Sequence, residues 1–167
     1  MKKIFSIFLV FIICIGILVG STNEGCLEAQ LVSLNYDEIK DKLIRFHVIA
    51  NSDSDEDQAV KLLVRDKVID YINIHLKDAT GVDEARNILM DNIEEVNNIA
   101  INVLRENGFD YEAKTMISRE NFPDKVYGDY LFPQGNYEAF RIIIGNGEGH
   151  NWWCVMFPPL CFVDETK

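Results

Sequence analysis

The chain has 167 residues, 48% of them hydrophobic and 26% charged, with a formal net charge of −11 at pH 7. That length supports one domain with a substantial core and no second one. A surface this acidic repels nucleic-acid phosphates and anionic lipid headgroups, which argues against a nucleic-acid-binding role.

In chain order, Met1-Lys2-Lys3 provides a short positive region, and Ile4 to Gly20 follows without a charged residue. This is the pattern of an export signal over residues 1–25. As a helix the apolar run would span roughly 25 Å, slightly short of a hydrocarbon core of about 30 Å, so a cleaved signal peptide and a retained membrane anchor both stay open. Small residues at Val19-Gly20-Ser21 would admit cleavage after Ser21. Asn23, three places before Cys26, argues against a lipoprotein signal. Residues 26–42 are polar and read as a lead-in segment or short helix, and residues 43–167 as a single α+β domain.

In Leu43 to Ala50, Ile44, Phe46, Val48 and Ala50 alternate with Arg45, His47 and Ile49, the period of a strand with one buried face. Asn51 to Asp57 then breaks the strand and opens a helix, with Ser54 as N-cap and Asp57 as capping-box partner. Val60, Leu63, Val64, Val68, Tyr71, Ile72 and Leu76 give residues 55–77 an amphipathic helical stripe. A second helix, capped by Asp83 and closed by Gly108, carries Ala85, Ile88, Leu89, Ile93, Val96, Ala100, Val103 and Leu104. Beyond Gly108 the period changes to two, predicting strands near 111–118, 125–132, 137–144 and 152–157. Short turns between them predict hairpins. The expected fold is α+β, with two amphipathic helices packed on one face of a mainly antiparallel sheet of about five strands.

Asp53, Asp55 and Asp57 alternate as calcium ligands do, but the sixth position from Asp53 is Gln58 and the twelfth is Val64, so helix capping explains the run better. Gly145, Gly147 and Gly149 lack the spacing of a phosphate loop, and a turn around Asn146-Gly147 accounts for them. Neither a G-x-S-x-G elbow nor an H-E-x-x-H pair occurs, and no metal or cofactor is expected. For thiol chemistry, Cys154 is the candidate nucleophile and His47, His75 and His150 the candidate bases. Cys154 and Cys161 are spaced unlike a zinc knuckle; in an oxidising compartment they are either a disulfide or free thiols, and Pro158-Pro159 could turn the chain between them.

Candidate contact residues are fewer. His47 either pairs with Asp53 or a partner, or faces solvent. Adjacent Trp152 and Trp153 point to opposite sides of a strand, so one is free to anchor a partner unless helices and tail cover both faces. The turn at Asn51 to Asp53 completes the set of candidate partner-binding positions.

Several long strings resemble the stage II sporulation protein R family of endospore-forming bacteria. They are Leu43 to Ser54 running into Gln58-Ala59-Val60-Lys61, Phe122 to Gly128, Tyr137 to Gly145, and Asn151 to Cys161. The resemblance covers most of residues 43–163. It implies a signalling protein rather than an enzyme, exported across the forespore membrane into the space facing the mother cell. There it would promote activation of a membrane-embedded aspartic protease that processes the precursor of sigma-E. The family brings no catalytic residues to carry over. The rival expectation is an extracytoplasmic thiol enzyme or redox protein using Cys154 and Cys161.

Overall fold

The computed structural model describes residues 32–161. The expected export signal, residues 1–25, lies outside them. Four helices and seven strands follow in the order β1 (Val32–Ser33), α1 (Tyr36–Ile39), β2 (Ile44–Ile49), α2 (Asp55–Leu76), α3 (Val82–Asp91), α4 (Ile93–Glu106), β3 (Ala113–Phe122), β4 (Lys125–Tyr127), β5 (Tyr130–Phe132), β6 (Gly135–Ile144) and β7 (Asn151–Phe157). The α+β expectation holds. No helix among the described residues is long and apolar enough to cross a membrane.

Two sheets form. The larger has strand order β3-β6-β2-β7, and the smaller β1-β5-β4. β3 pairs antiparallel with β6, β2 runs parallel to β6, and β7 pairs antiparallel with β2. The large sheet is therefore mixed, and the expected hairpins between consecutive strands fail twice: β3 pairs with β6 while residues 125–132 join the small sheet, and β6 and β7 straddle β2. The segment expected as one strand near 125–132 is instead the hairpin β4–β5, which turns at Gly128, where φ is 57°.

One face of the large sheet carries the helices. Ile44, Phe46 and Val48 of β2 and Phe140, Ile142 and Ile144 of β6 pack against Val60, Val64, Val68, Ile72 and Leu76 of α2 and Leu89, Val96, Ala100 and Leu104 of α3 and α4. Most of the expected helical stripes lie in this core, but Leu63 is 45% exposed. The expected second helix is two, broken at Asn92, whose amide donates to the Ile88 carbonyl at 2.8 Å and accepts the Tyr71 hydroxyl at 2.7 Å. Gly81 rather than Asp83 caps α3.

The opposite face is also covered. Leu43, Phe122, Tyr127, Phe132, Tyr137, Ala139 and Val155 form a second core, with Leu34, Tyr36, Ile39, Trp153 and Leu160 packed around it. Every residue of β2 is consequently buried. The single buried face expected for this strand is corrected by the small sheet and α1, which cover the side that was read as solvent. Residues 32–40, within the expected lead-in segment, take part in this cover: β1 pairs parallel with β5, and Tyr36 meets Tyr137 edge-on at 5.2 Å.

Candidate functional site

The turn from β2 into α2 is a polar junction. Ser54 caps α2, its hydroxyl accepting the Asp57 N–H at 3.2 Å; such a cap contributes about 1 kcal/mol. The reciprocal half of the capping box is not made. Asp57 turns instead to the Ser52 hydroxyl at 2.6 Å and the Asn51 amide at 2.9 Å. Burial works against its carboxylate charge, but hydrogen bonds from Ser52, Asn51 and Tyr111 prevail and hold its pKa below the usual carboxylate value.

The same turn grips the β6–β7 connection. Asn51 accepts the Asn146 N–H at 3.0 Å, Ala50 accepts Gly149 N–H at 3.0 Å, and Asp53 accepts the His150 N–H at 2.6 Å while its carboxylate meets His150 Nδ1 at 2.5 Å. Those His150 contacts, the backbone one foremost, lower the Asp53 pKa. Lys61 closes the cluster, donating to Gln58 at 2.5 Å and to the His150 carbonyl at 3.0 Å. A Cβ on Gly149 would lie 2.2 Å from the Ser52 carbonyl oxygen, which explains glycine at that position. Asn51 and Asp53 thus brace two loops, and His47 does not pair with Asp53.

His47 lies instead on the covered face of β2. It is 2% exposed and stacks on Trp153, ring centroids 4.7 Å apart and planes 9° from parallel, with Phe122 at 5.3 Å. The solvent-facing reading of His47 is corrected: its neighbours on this face lie under the small sheet. Burial, reinforced by the Arg141 and Arg45 charges, pushes its pKa down to about 3. The ring is neutral at pH 7.

Trp152 takes the helix face, edge-on to Phe46 at 5.9 Å and with the Arg65 guanidinium 4.9 Å from its ring centre. Each tryptophan therefore packs on one core, and each stays half-buried rather than fully enclosed. Cys154 and Cys161 are joined in a disulfide with Cα atoms 5.4 Å apart. It ties the chain after β7, where the Phe157–Pro158 peptide is cis, back onto the strand.

Arg45 was missed by the sequence reading. It is 0% exposed on the covered face, with its guanidinium 4.4 Å from the Phe122 ring centre and 5.1 Å from that of Tyr137. The signal available was its place between apolar neighbours in β2, but alternation assigned that place to solvent.

Among the described residues no group of three or more His, Cys, Asp or Glu could hold a metal ion. Cys154 is bridged and buried, and none of the three histidines is its partner. Fold and polar clusters together define a disulfide-bridged α+β module whose turn residues brace loops and layers. The model of the family "Stage II sporulation protein R" matches residues 40–167. The stage II sporulation protein R of Bacillus subtilis (strain 168) is 40% identical over 166 residues, covering 99% of this chain and 73% of that protein. The chain belongs to the stage II sporulation protein R family, and its role lies in sporulation. No solved structure matches it.

Proposed function

We propose that this protein is an exported sporulation signal. It crosses the forespore membrane into the intermembrane space and acts on the extracytoplasmic surface of a membrane-embedded aspartic protease, leading to processing of the sigma-E precursor in the mother cell. The observation that carries this reading is the family match across residues 40–167. Two features support it: the charged start and uncharged apolar run of residues 1–20, which suit export, and the Cys154–Cys161 disulfide, which suits an oxidising compartment. The half-buried Trp152 and Trp153 supply aromatic area of the kind that anchors protein interfaces.

The test follows precursor processing in sporulating cells. Cells lacking the chain, or carrying it without residues 1–25, should leave the sigma-E precursor unprocessed; normal processing in either would overturn the reading. Trp152→Ala and Trp153→Ala, each confirmed to fold, should lower processing. Full processing by both would remove the aromatic anchor while leaving the signalling role intact. A folded Cys154→Ser/Cys161→Ser variant should still signal, since the bridge acts on stability; complete loss would favour thiol chemistry.

A further inference from the structure

Arg45 places a permanent positive charge in a closed apolar layer. Its Nε, Nη1 and Nη2 make no hydrogen bond of ordinary geometry, although the Tyr127 and Tyr137 phenols stand close enough to steady the charge. On the same face, both ring nitrogens of His47 are buried without a hydrogen-bond partner. Arg141 of β6 sits directly opposite His47 across the parallel pairing, and its Nε is likewise buried and unpartnered. Its Nη1 donates to Glu120 and, at 3.4 Å, to Ser118. Glu120 is thus engaged by Arg141, and the nearby Asp124 is occupied by the Gln134 N–H at 2.6 Å. No carboxylate pairs with Arg45 among the described residues.

Six buried nitrogens of two arginines and a histidine thus share one sheet face without a hydrogen bond of ordinary geometry, and among the described residues the only oxygens turned to Arg45 are the neutral phenols of Tyr127 and Tyr137, in a chain whose formal charge is −11. Buried polar groups are almost always satisfied, and a guanidinium cannot shed its proton to escape the cost. The rings of Phe122 and Tyr137 offset part of that cost through cation–π contact, but rings accept no N–H in the plane of the guanidinium. What the face lacks is an acceptor of negative charge with two or more oxygens, the geometry that a guanidinium fork matches.

We propose that this face, centred on Arg45 and flanked by His47 and Arg141, is a binding site for an oxyanion, either a carboxylate or a phosphate. Two oxygens of the ligand take the N–H groups of Arg45, and neutral His47 donates its one ring N–H. The ligand enters when α1 and the β4–β5 hairpin lift from the sheet, because Arg45 is sealed while they are seated. The site stands independently of any action on a protease.

The test is thermal unfolding of the oxidised full chain in mild detergent, in chloride, phosphate or acetate at equal ionic strength and pH. A ligand that binds the folded state raises Tm progressively with concentration above its Kd. Phosphate should raise Tm above the chloride value, and Arg45→Met, which keeps the stem and removes the charge, should abolish the increment. A similar rise in acetate assigns a carboxylate ligand; a rise in phosphate alone assigns free phosphate. In the unmodified chain the His47 ring nitrogen resonances should shift as the effective anion is added, a readout that holds even if Arg45→Met fails to fold. Equal Tm in all three salts with unmoved His47 resonances overturns the proposal, as does an increment that survives in folded Arg45→Met.

Discussion

His47 shows how far one residue's chemistry depends on a layer distant in sequence. In the unfolded chain its imidazole titrates near its ordinary value of 6.5, whereas in the folded protein burial, helped by the Arg141 and Arg45 charges, drops the value to about 3. The folded pKa is depressed, so between these values the unfolded state binds a proton that the folded state refuses. Stability from this residue is complete above the unfolded value and is lost as pH falls. The expected slope is about 1.4 kcal/mol per pH unit for a single group. Urea unfolding between pH 6.5 and about 5, above the ordinary carboxylate range, should show stability falling with pH. His47→Phe, which preserves the stack on Trp153, should flatten that slope; an unchanged slope would mean that His47 is protonated in the folded state. Arg45 cannot respond in this way, because it stays charged at any accessible pH.

Elements are held by the same kind of remote contact, and the disulfide at the end of β7 is the clearest case. Cys154 is buried in the helix-side core, while Leu160, six residues on, packs into the other core and returns a hydrogen bond to the Val155 carbonyl at 3.1 Å. Cross-linking a loop this short removes unfolded-state freedom worth roughly 2 to 3 kcal/mol. Cys154→Ser/Cys161→Ser should therefore lower the urea midpoint by a corresponding amount without changing far-ultraviolet dichroism; an unchanged midpoint would show that the bridge does not constrain the unfolded chain. Helices and the alternating strands were readable from the sequence because their apolar periods are local. Strand order was not. Gly145 to Gly149 reads as a hairpin turn, and Gly147 N–H does close onto the Ile144 carbonyl. Asn51 and Ala50 nonetheless hold that loop against the end of β2, which slots between β6 and β7. The break at Asn92 escaped for a related reason, since the apolar stripe of α3 and α4 runs through it. Of the candidate contact residues, Trp152 and Trp153 were correctly placed on opposite faces. That both faces are covered is the alternative the sequence left open, but what covers the second face was not legible, because the covering strands β4 and β5 are three residues each and carry little period of their own.

At the scale of the whole molecule, the two covers of the large sheet differ in strength. On one side lie α2, α3 and α4, with long apolar faces closed over β2 and β6. On the other lie a four-residue helix and a sheet whose longest strand has three residues. A hairpin of that length is marginal by itself and depends on packing. Its anchors are few: Tyr127 and Phe132, which meet edge-on at 5.5 Å, and Tyr36 against Tyr137. Beneath them lies a face whose nitrogens are unsatisfied, so closing this cover costs solvation that closing the helix side does not. Local opening free energies follow such differences, ranging from near zero at weakly packed segments up to the global value in core strands. Amide hydrogen exchange should therefore find Val126 and Leu131, which pair across the hairpin, exchanging well before Phe46, Val48 and Ile142 in the central strands. Exchange of the hairpin should be slowed by whichever oxyanion raises Tm, if that ligand satisfies Arg45 and leaves the cover seated over it. Uniform exchange across both sheets would show that the small sheet opens only with the whole domain, and that Arg45 is reached by global unfolding alone.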